Sequence, residues 1–357
     1  MKKWSVFICI LFLAGWYAWF KFHFKAVHEN VQWAEAAVLE GDFFEIPLGL
    51  PPIQWPEDNP YSHKKARLGQ ILYFDKRLSG DGTVSCATCH NIPCAYSDCR
   101  ALAIGIKNQQ GTRHSPTIIN AAYLQHFFWD GRAASLEEQA KGPIANTKEM
   151  ALVGDVHEAY RQCMERIEQI SGYRPLFKEA FGNEEITVDK IAKAIATFER
   201  TVLSGNSPYD RALAGDVDAI SEEQLTGFRV FKKAGCAHCH GGFNFTDDRF
   251  VNIGVGMDQP QPDLGRYAIT HLEKDWGAFK TPTLRESEHT APYMHDGAFK
   301  TLEEVVEFLD QGGGSNPTLS PLMHPLSLTA DEKADLVMFL KALTGEPIKF
   351  SMPQLPK

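Results

Sequence analysis

Apolar residues recur at helical spacing along most of this chain, and strand-type alternation is scarce. Between Thr187 and Leu203 the residues Ile191, Ala194, Ile195 and Phe198 share one helical face, and Leu336, Phe339, Leu340 and Leu343 form another before Gly345. Three capping boxes open apolar-periodic segments: Ser221 with Gln224, Thr301 with Glu304, and Thr329 with Glu332. In each, the hydroxyl takes a backbone N–H three residues on while the longer side chain reaches back to the cap. The pattern predicts a mainly α protein. The stretch SGNSPYD, Ser204 to Asp210, is a polar break holding both Gly and Pro, and it is expected to divide two domains, 23–203 and 204–357.

One apolar segment has no polar face at all. Lys2 and Lys3 precede an unbroken run from Trp4 to Phe20 that ends at Lys21. Seventeen residues of helix reach roughly 25 Å, near the lower limit for crossing a bilayer. Bulky Trp16, Tyr17, Trp19 and Phe20 stand where a signal peptidase needs small residues. Residues 1–22 therefore read as an uncleaved anchor with the body exported to the periplasm, a cleaved signal being the alternative. Lys2 and Lys3 would lie inside, although Lys21 and Lys25 blunt that asymmetry.

Composition narrows the function classes. A chain of 357 residues, 44% hydrophobic and 23% charged, is long enough for two globular domains. A net charge of -9 without a concentrated basic face speaks against nucleic acid and suits a small electropositive redox partner.

The cysteines carry the chemistry. Cys86-Ala-Thr-Cys89-His90 and Cys236-Ala-His-Cys239-His240 are two copies of the c-type haem attachment pattern. In it two thiols add to the porphyrin vinyls and the adjacent imidazole binds iron, which assigns His90 and His240 as proximal ligands. A zinc site built from Cys86, Cys89, Cys94 and Cys99 would lack a second pair at ribbon spacing and would leave His90 without a role. Thioredoxin-like chemistry has no βαβ setting here. Cys94 and Cys99 are surplus to haem attachment, and in an oxidising compartment a short local disulfide is expected, two packed thiols being the alternative. Cys163, on a helical stretch, reads as a buried thiol.

Four ordered stretches, LGQILYFDKRLSGDGTVSCATCHN, RHSPTIINAAYLQHFFWDGRAASLEEQAKGPIANTKEM, GCAHCHGGFNFTDDRF and FKTPTLRESEHTAPYMHDGAFKTLEEVVEF, resemble the bacterial di-haem cytochrome c peroxidase and MauG superfamily. The resemblance runs from about Leu68 to Gly345. It implies two cytochrome c-like haem domains in tandem, with the C-terminal tail able to pack back on the first. Peroxide would react at the N-terminal haem, and electrons would enter at the C-terminal one from a small c-type cytochrome or cupredoxin. It further implies that Trp129 lies between the haems as a relay, and that Gln139 and Glu149 overlook the peroxide pocket, which Pro143 helps to shape. A carboxylate there can move a proton from the inner to the outer peroxide oxygen. Thr290 and Pro292 match backbone ligands of a calcium ion. The asparagine that completes that site in the family is His114 here, and imidazole suits a hard cation poorly. The family includes homodimers, but no interface is legible.

Two departures bear on mechanism. Ordinary members cap the resting first iron with a histidine sixteen residues after the proximal one; that position is Ile106. The first iron is therefore expected to be open without prior reduction, as in MauG-like enzymes that oxidise residues of a partner protein. At the far side of the second haem the family places methionine or tyrosine where this chain has Leu309. Met257, Met294, Met323, Met338, His289, His295 and His324 remain as donors, with a five-coordinate or water-ligated iron as the alternative. A carrier or haem sensor without turnover is the remaining reading, and the polar pocket of Gln139 and Glu149 argues against it.

Overall fold

The computed structural model describes residues 45–346 and 352–357; the apolar N-terminal run, and with it the expected anchor or signal, lies outside them. No helix among the described residues is long and apolar enough to cross a membrane. The described chain is mainly helical. Its helices are α1 (His63–Phe74), α2 (Cys86–Cys89), α3 (Leu136–Ala145), α4 (Val156–Glu168), α5 (Tyr173–Phe181), α6 (Val188–Glu199), α7 (Pro208–Leu213), α8 (Glu222–Lys233), α9 (Tyr267–Thr270), α10 (Leu302–Asp310) and α11 (Ala330–Lys341). The only sheet among these residues pairs β1 (Phe250–Val251) with β2 (Phe279–Lys280), antiparallel and two residues long.

The caps fall where the side-chain chemistry requires. Ser221, Thr301 and Thr329 each accept the N–H of the third residue on, and Gln224, Glu304 and Glu332 bond back to the cap, so all three boxes form. Thr187 caps α6 through Lys190 N–H, and the stripe Ile191, Ala194, Ile195, Phe198 is buried.

Two large hydrophobic cores result, beside two smaller clusters. One gathers Leu68, Leu72, Tyr73, Ile106, Ile167, Phe177, Ile191 and Phe198. The other gathers Tyr209, Phe231, Phe245, Val306, Leu336, Phe339 and Leu343. Each is built on a crossed helix pair, α1 on α6 and α8 on α11, and the same device closes both crossings. A Cβ on Gly69 would strike the carbonyl of Ala194 and the Cβ of Phe198; a Cβ on Gly227 would strike the carbonyl of Asp335 and the Cβ of Phe339. Glycine is what lets each pair approach to backbone contact.

Between the halves, Arg113 forks onto Asp263 at 2.7 and 2.8 Å and reaches Asp130 at 2.6 Å. Within the second half, Arg285 forks onto Asp210, both bonds 2.8 Å, with both side chains almost wholly buried. The last residues lie against the first core: Gly172 N–H donates to Lys357 O, and Arg77 Nη2 to Pro356 O. Cys163 is buried in α4, and burial pushes its thiol up to about 11.

Candidate functional site

The first attachment motif folds as a single helical turn. Ser85 caps α2 with Thr88 in a reciprocal box, and His90 ends the turn with its N–H on Cys86 O at 2.9 Å. The His90 ring then places Nδ1 2.9 Å from the carbonyl of Pro116. A carbonyl can only accept, so Nδ1 carries the proton and Nε2 keeps a free lone pair. Burial lowers the His90 pKa, opposed by that carbonyl, and keeps the ring neutral as a metal ligand must be. The second motif repeats the arrangement: His240 N–H bonds Cys236 O, and its Nδ1 sits 3.0 Å from Phe245 O. Burial lowers its pKa too.

The four motif cysteines are unpaired and only half-buried. Burial raises all four thiols, Cys89 and Cys236 each to about 11, so none is an activated thiolate of the redox or zinc-binding kind. Cys94 and Cys99 are joined in a disulfide with Cα atoms 5.6 Å apart, which removes two of the four sulfurs a zinc site would need. No group of three or more His, Cys, Asp or Glu among the described residues is placed to hold a bare metal ion. Paired neutral thiols beside a neutral imidazole with an uncommitted Nε2 are a donor set for a covalently attached haem. The second site adds a cavity: Cys236, Cys239 and His240 form part of its wall, with Val306, Leu309, Met323, Leu336 and Leu340 among the residues lining it. Among the described residues, Ser287 Oγ, buried on that wall, has no hydrogen-bond partner, and the buried Lys280 ammonium meets only Asp248, at 3.5 Å. Both suit a bound group carrying carboxylates.

Trp129 also lines this cavity, although it belongs to the other half of the chain. Its indole Nε1 donates to His114 O at 2.9 Å, and its carbonyl accepts Lys280 N–H at 2.8 Å. Two residues beyond His114, Pro116 O receives the His90 ring. A short path thus leads from His90 through the segment His114–Pro116 and the indole to the second cavity.

Gln139 and Pro143 are one helical turn apart on α3 and share a face. Glu149 follows the end of that helix, half-buried, its carboxylate accepting from Asn146 Nδ2 at 2.6 Å. Burial raises its pKa, against the pull of Arg132 and the Asn146 bond. Ile106 lies beside it: its N–H donates to Glu149 O at 3.0 Å while its side chain is 1% exposed within the first core. Asn146 escaped the sequence reading, though its place three residues before Glu149 at a helix end is the spacing of a local polar pair.

The calcium expectation meets a closed site. His114 is buried, its Nε2 is 2.8 Å from Ser97 Oγ, and its Nδ1 is 3.1 Å from Arg100 O. Both ring nitrogens are used within the chain, no carboxylate contacts them, and burial holds the pKa down. Thr290 and Pro292 line the second cavity. These residues do not fit a hard divalent cation. Of the donors left open for the second iron, Met257, Met338 and His289 are not on the cavity wall; Met294, Met323, His295 and His324 are.

A family model for di-haem cytochrome c peroxidases matches residues 63–218. The chain is 43% identical over 305 residues to the methylamine utilization protein MauG of Methylorubrum extorquens, covering 84% of each chain. It is 40% identical over 299 residues to the cytochrome c551 peroxidase of Nitrosomonas europaea, covering 83% of this chain and 85% of that one. Among solved structures, a MauG-like protein associated with microbial copper homeostasis superposes with a TM-score of 0.78 at 34% identity, covering 84% of this chain and 95% of that one.

Proposed function

The chain belongs to the di-haem cytochrome c peroxidase family, and on that premise we propose how its residues divide the work of a peroxide-dependent oxidoreductase. The enzyme carries two covalently bound c-type haems. Cys86 and Cys89 tether the first with His90 as proximal ligand, and Cys236, Cys239 and His240 serve the second. When bound, the haems supply iron that engages peroxide at the first site and passes electrons at the second.

Glu149 is the proton carrier. A carboxylate whose pKa is raised by burial gives and takes a proton nearer neutral pH than an exposed glutamate, as transfer between the two peroxide oxygens requires. Asn146 fixes its orientation, Gln139 adds a hydrogen-bonding group, and Pro143 shapes the wall. Trp129 relays electrons along the path from His90 to the second cavity. The division into haem domains at 203/204 is supported by the two separate cores. Periplasmic location, attachment by residues 1–22 and a small cytochrome or cupredoxin donor complete the reading.

One observation favours a second reading, oxidation of side chains on a partner protein. Ile106 is packed in the core beside Glu149, so the first iron needs no reductive release of a ligand before meeting peroxide. The experiment is to add peroxide to the fully oxidised protein without a donor. Prompt reaction leaving a long-lived oxidised protein supports partner oxidation. Reaction only after half-reduction supports ordinary peroxidase turnover, and no reaction in either state contradicts both.

A further inference from the structure

The sixth ligand of the second iron is not assigned by the motifs, because Leu309 has no donor atom. The structure narrows the field. His240 Nδ1 is committed to Phe245 O, so Nε2 faces the cavity and the sixth ligand must come from another wall. Tyr293 lines the cavity, but its hydroxyl donates to Ser287 O at 2.7 Å, and burial pushes its pKa up to about 12, away from the phenolate that binds iron. The His295 ring is stacked on Phe279 at 3.7 Å, stands edge-on to Trp129, and is surrounded by Asp296, Asp263 and Arg113. That is the Trp129 wall, and Met294 immediately precedes His295 on the same segment. His324 is exposed, with Nδ1 3.1 Å from Leu322 O.

Met323 differs from all of these. It lies on the loop between α10 and α11, and that loop is fastened to the end of α10 that carries Leu309. Leu326 N–H donates to Asp310 O and Leu328 N–H to Asp310 Oδ1, each at 2.9 Å. Met323 N–H donates to Ser320 O, and Ser320 N–H in turn to Asn252 O. Two glycines in left-handed conformation form the turn after α10, where Gly312 meets the loop backbone and Gly313 meets the carbonyl of Ile253. A Cβ on Gly312 would lie 2.9 Å from His324 C and Pro325 N, and one on Gly313 would lie 3.1 Å from Met323 Cε. The backbone of His324 is thus turned to the helix end while its side chain is exposed, and the neighbouring Met323 is half-buried and lines the same cavity as Leu309.

We propose that the thioether sulfur of Met323, delivered by this loop and not by helix α10, is the sixth ligand of the iron held by His240. The soft sulfur suits haem iron and raises its reduction potential relative to a water or imidazole ligand. This inference rests on the reading of His240 as the proximal ligand.

The test uses the two-haem protein in its ferric state. Wild type should show the near-infrared sulfur-to-iron charge-transfer band of a His/Met haem. Met323→Leu should abolish that band, turn the second haem high-spin and lower its potential. Met294→Leu should leave the band in place, and Met323→His should restore a six-coordinate low-spin haem with a bis-imidazole spectrum. The proposal is overturned if the band survives in Met323→Leu, or if the wild type is bis-imidazole and loses that spectrum in His324→Ala. It is equally overturned if Met323→His stays high-spin, since the thioether would then act only by packing. Haem content by mass separates the two levels: one haem per chain sinks the His240 reading itself, whereas two haems with an unchanged Met323→Leu spectrum sink only the ligand.

Discussion

At the scale of single residues, Glu149 and His114 make opposite use of burial. Glu149 keeps one hydrogen bond and a raised pKa, which leaves it able to exchange a proton. Glu149→Gln should slow the reaction with peroxide by about 10²- to 10⁴-fold while both haem spectra stay unchanged. In wild type the base form is lost as pH falls through a pKa above that of an ordinary glutamate, so the rate should drop on that acidic limb and the variant should lack it. Stopped-flow rates against pH decide this; an unaltered rate removes Glu149 from the mechanism. His114 has both nitrogens bonded within the chain, and burial holds its pKa down, which leaves no donor for the calcium ion that the family resemblance implied. Chelator treatment followed by excess calcium should leave the melting temperature unchanged, and a calcium-dependent rise would refute the closed site. The motif residues were legible because covalent haem attachment demands a fixed spacing. The carbonyls of Pro116 and Phe245 were not, since backbone acceptors leave no trace in a sequence, and Asn146 carried only the weak signal of a local polar spacing.

At the scale of elements, caps and stripes located the helices because both are local: Thr187, Ser221, Thr301 and Thr329 all cap where hydroxyl chemistry and apolar spacing coincide. The likeness of the two halves was hidden. It resides in Gly69 against Ala194 and Gly227 against Asp335, single glycines whose role appears only when helices distant in sequence cross. Gly69→Ala and Gly227→Ala should each cost about 1–3 kcal/mol, because the obstacle is a backbone carbonyl and cannot rotate away. Thermal unfolding measures this, and a variant as stable as wild type would show that the crossing is looser than described. The sequence left the proposed sixth ligand of the second iron among seven candidates for a related reason: Leu309 offers no donor atom, and Met323 lies on a loop whose approach to the cavity wall depends on contacts distant in sequence.

Across the whole molecule, Arg113 of the first half forks onto Asp263 of the second, while a buried charge pair holds the second half together. Asp210 and Arg285 are each about 1% exposed and bonded twice, and Arg285 Nε also donates to Phe243 O at 2.7 Å. Arg285→Met should destabilise by about 3–5 kcal/mol by leaving Asp210 buried without its partner, and replacing both residues by apolar ones should cost much less. Equal losses in single and double variants would contradict this account of the pair. Trp129 is held across the halves, its indole donating to His114 O and its carbonyl accepting Lys280 N–H, which is the placement the proposed relay requires. The account turns on Ile106, an aliphatic side chain sealed in the core beside Glu149 that offers the first iron no donor atom. Electron paramagnetic resonance of the fully oxidised protein tests it directly. A high-spin ferric signal from the first haem, unchanged by reduction of the second, is the expected result; a wholly low-spin spectrum would mean that some side chain caps that iron and would contradict the account.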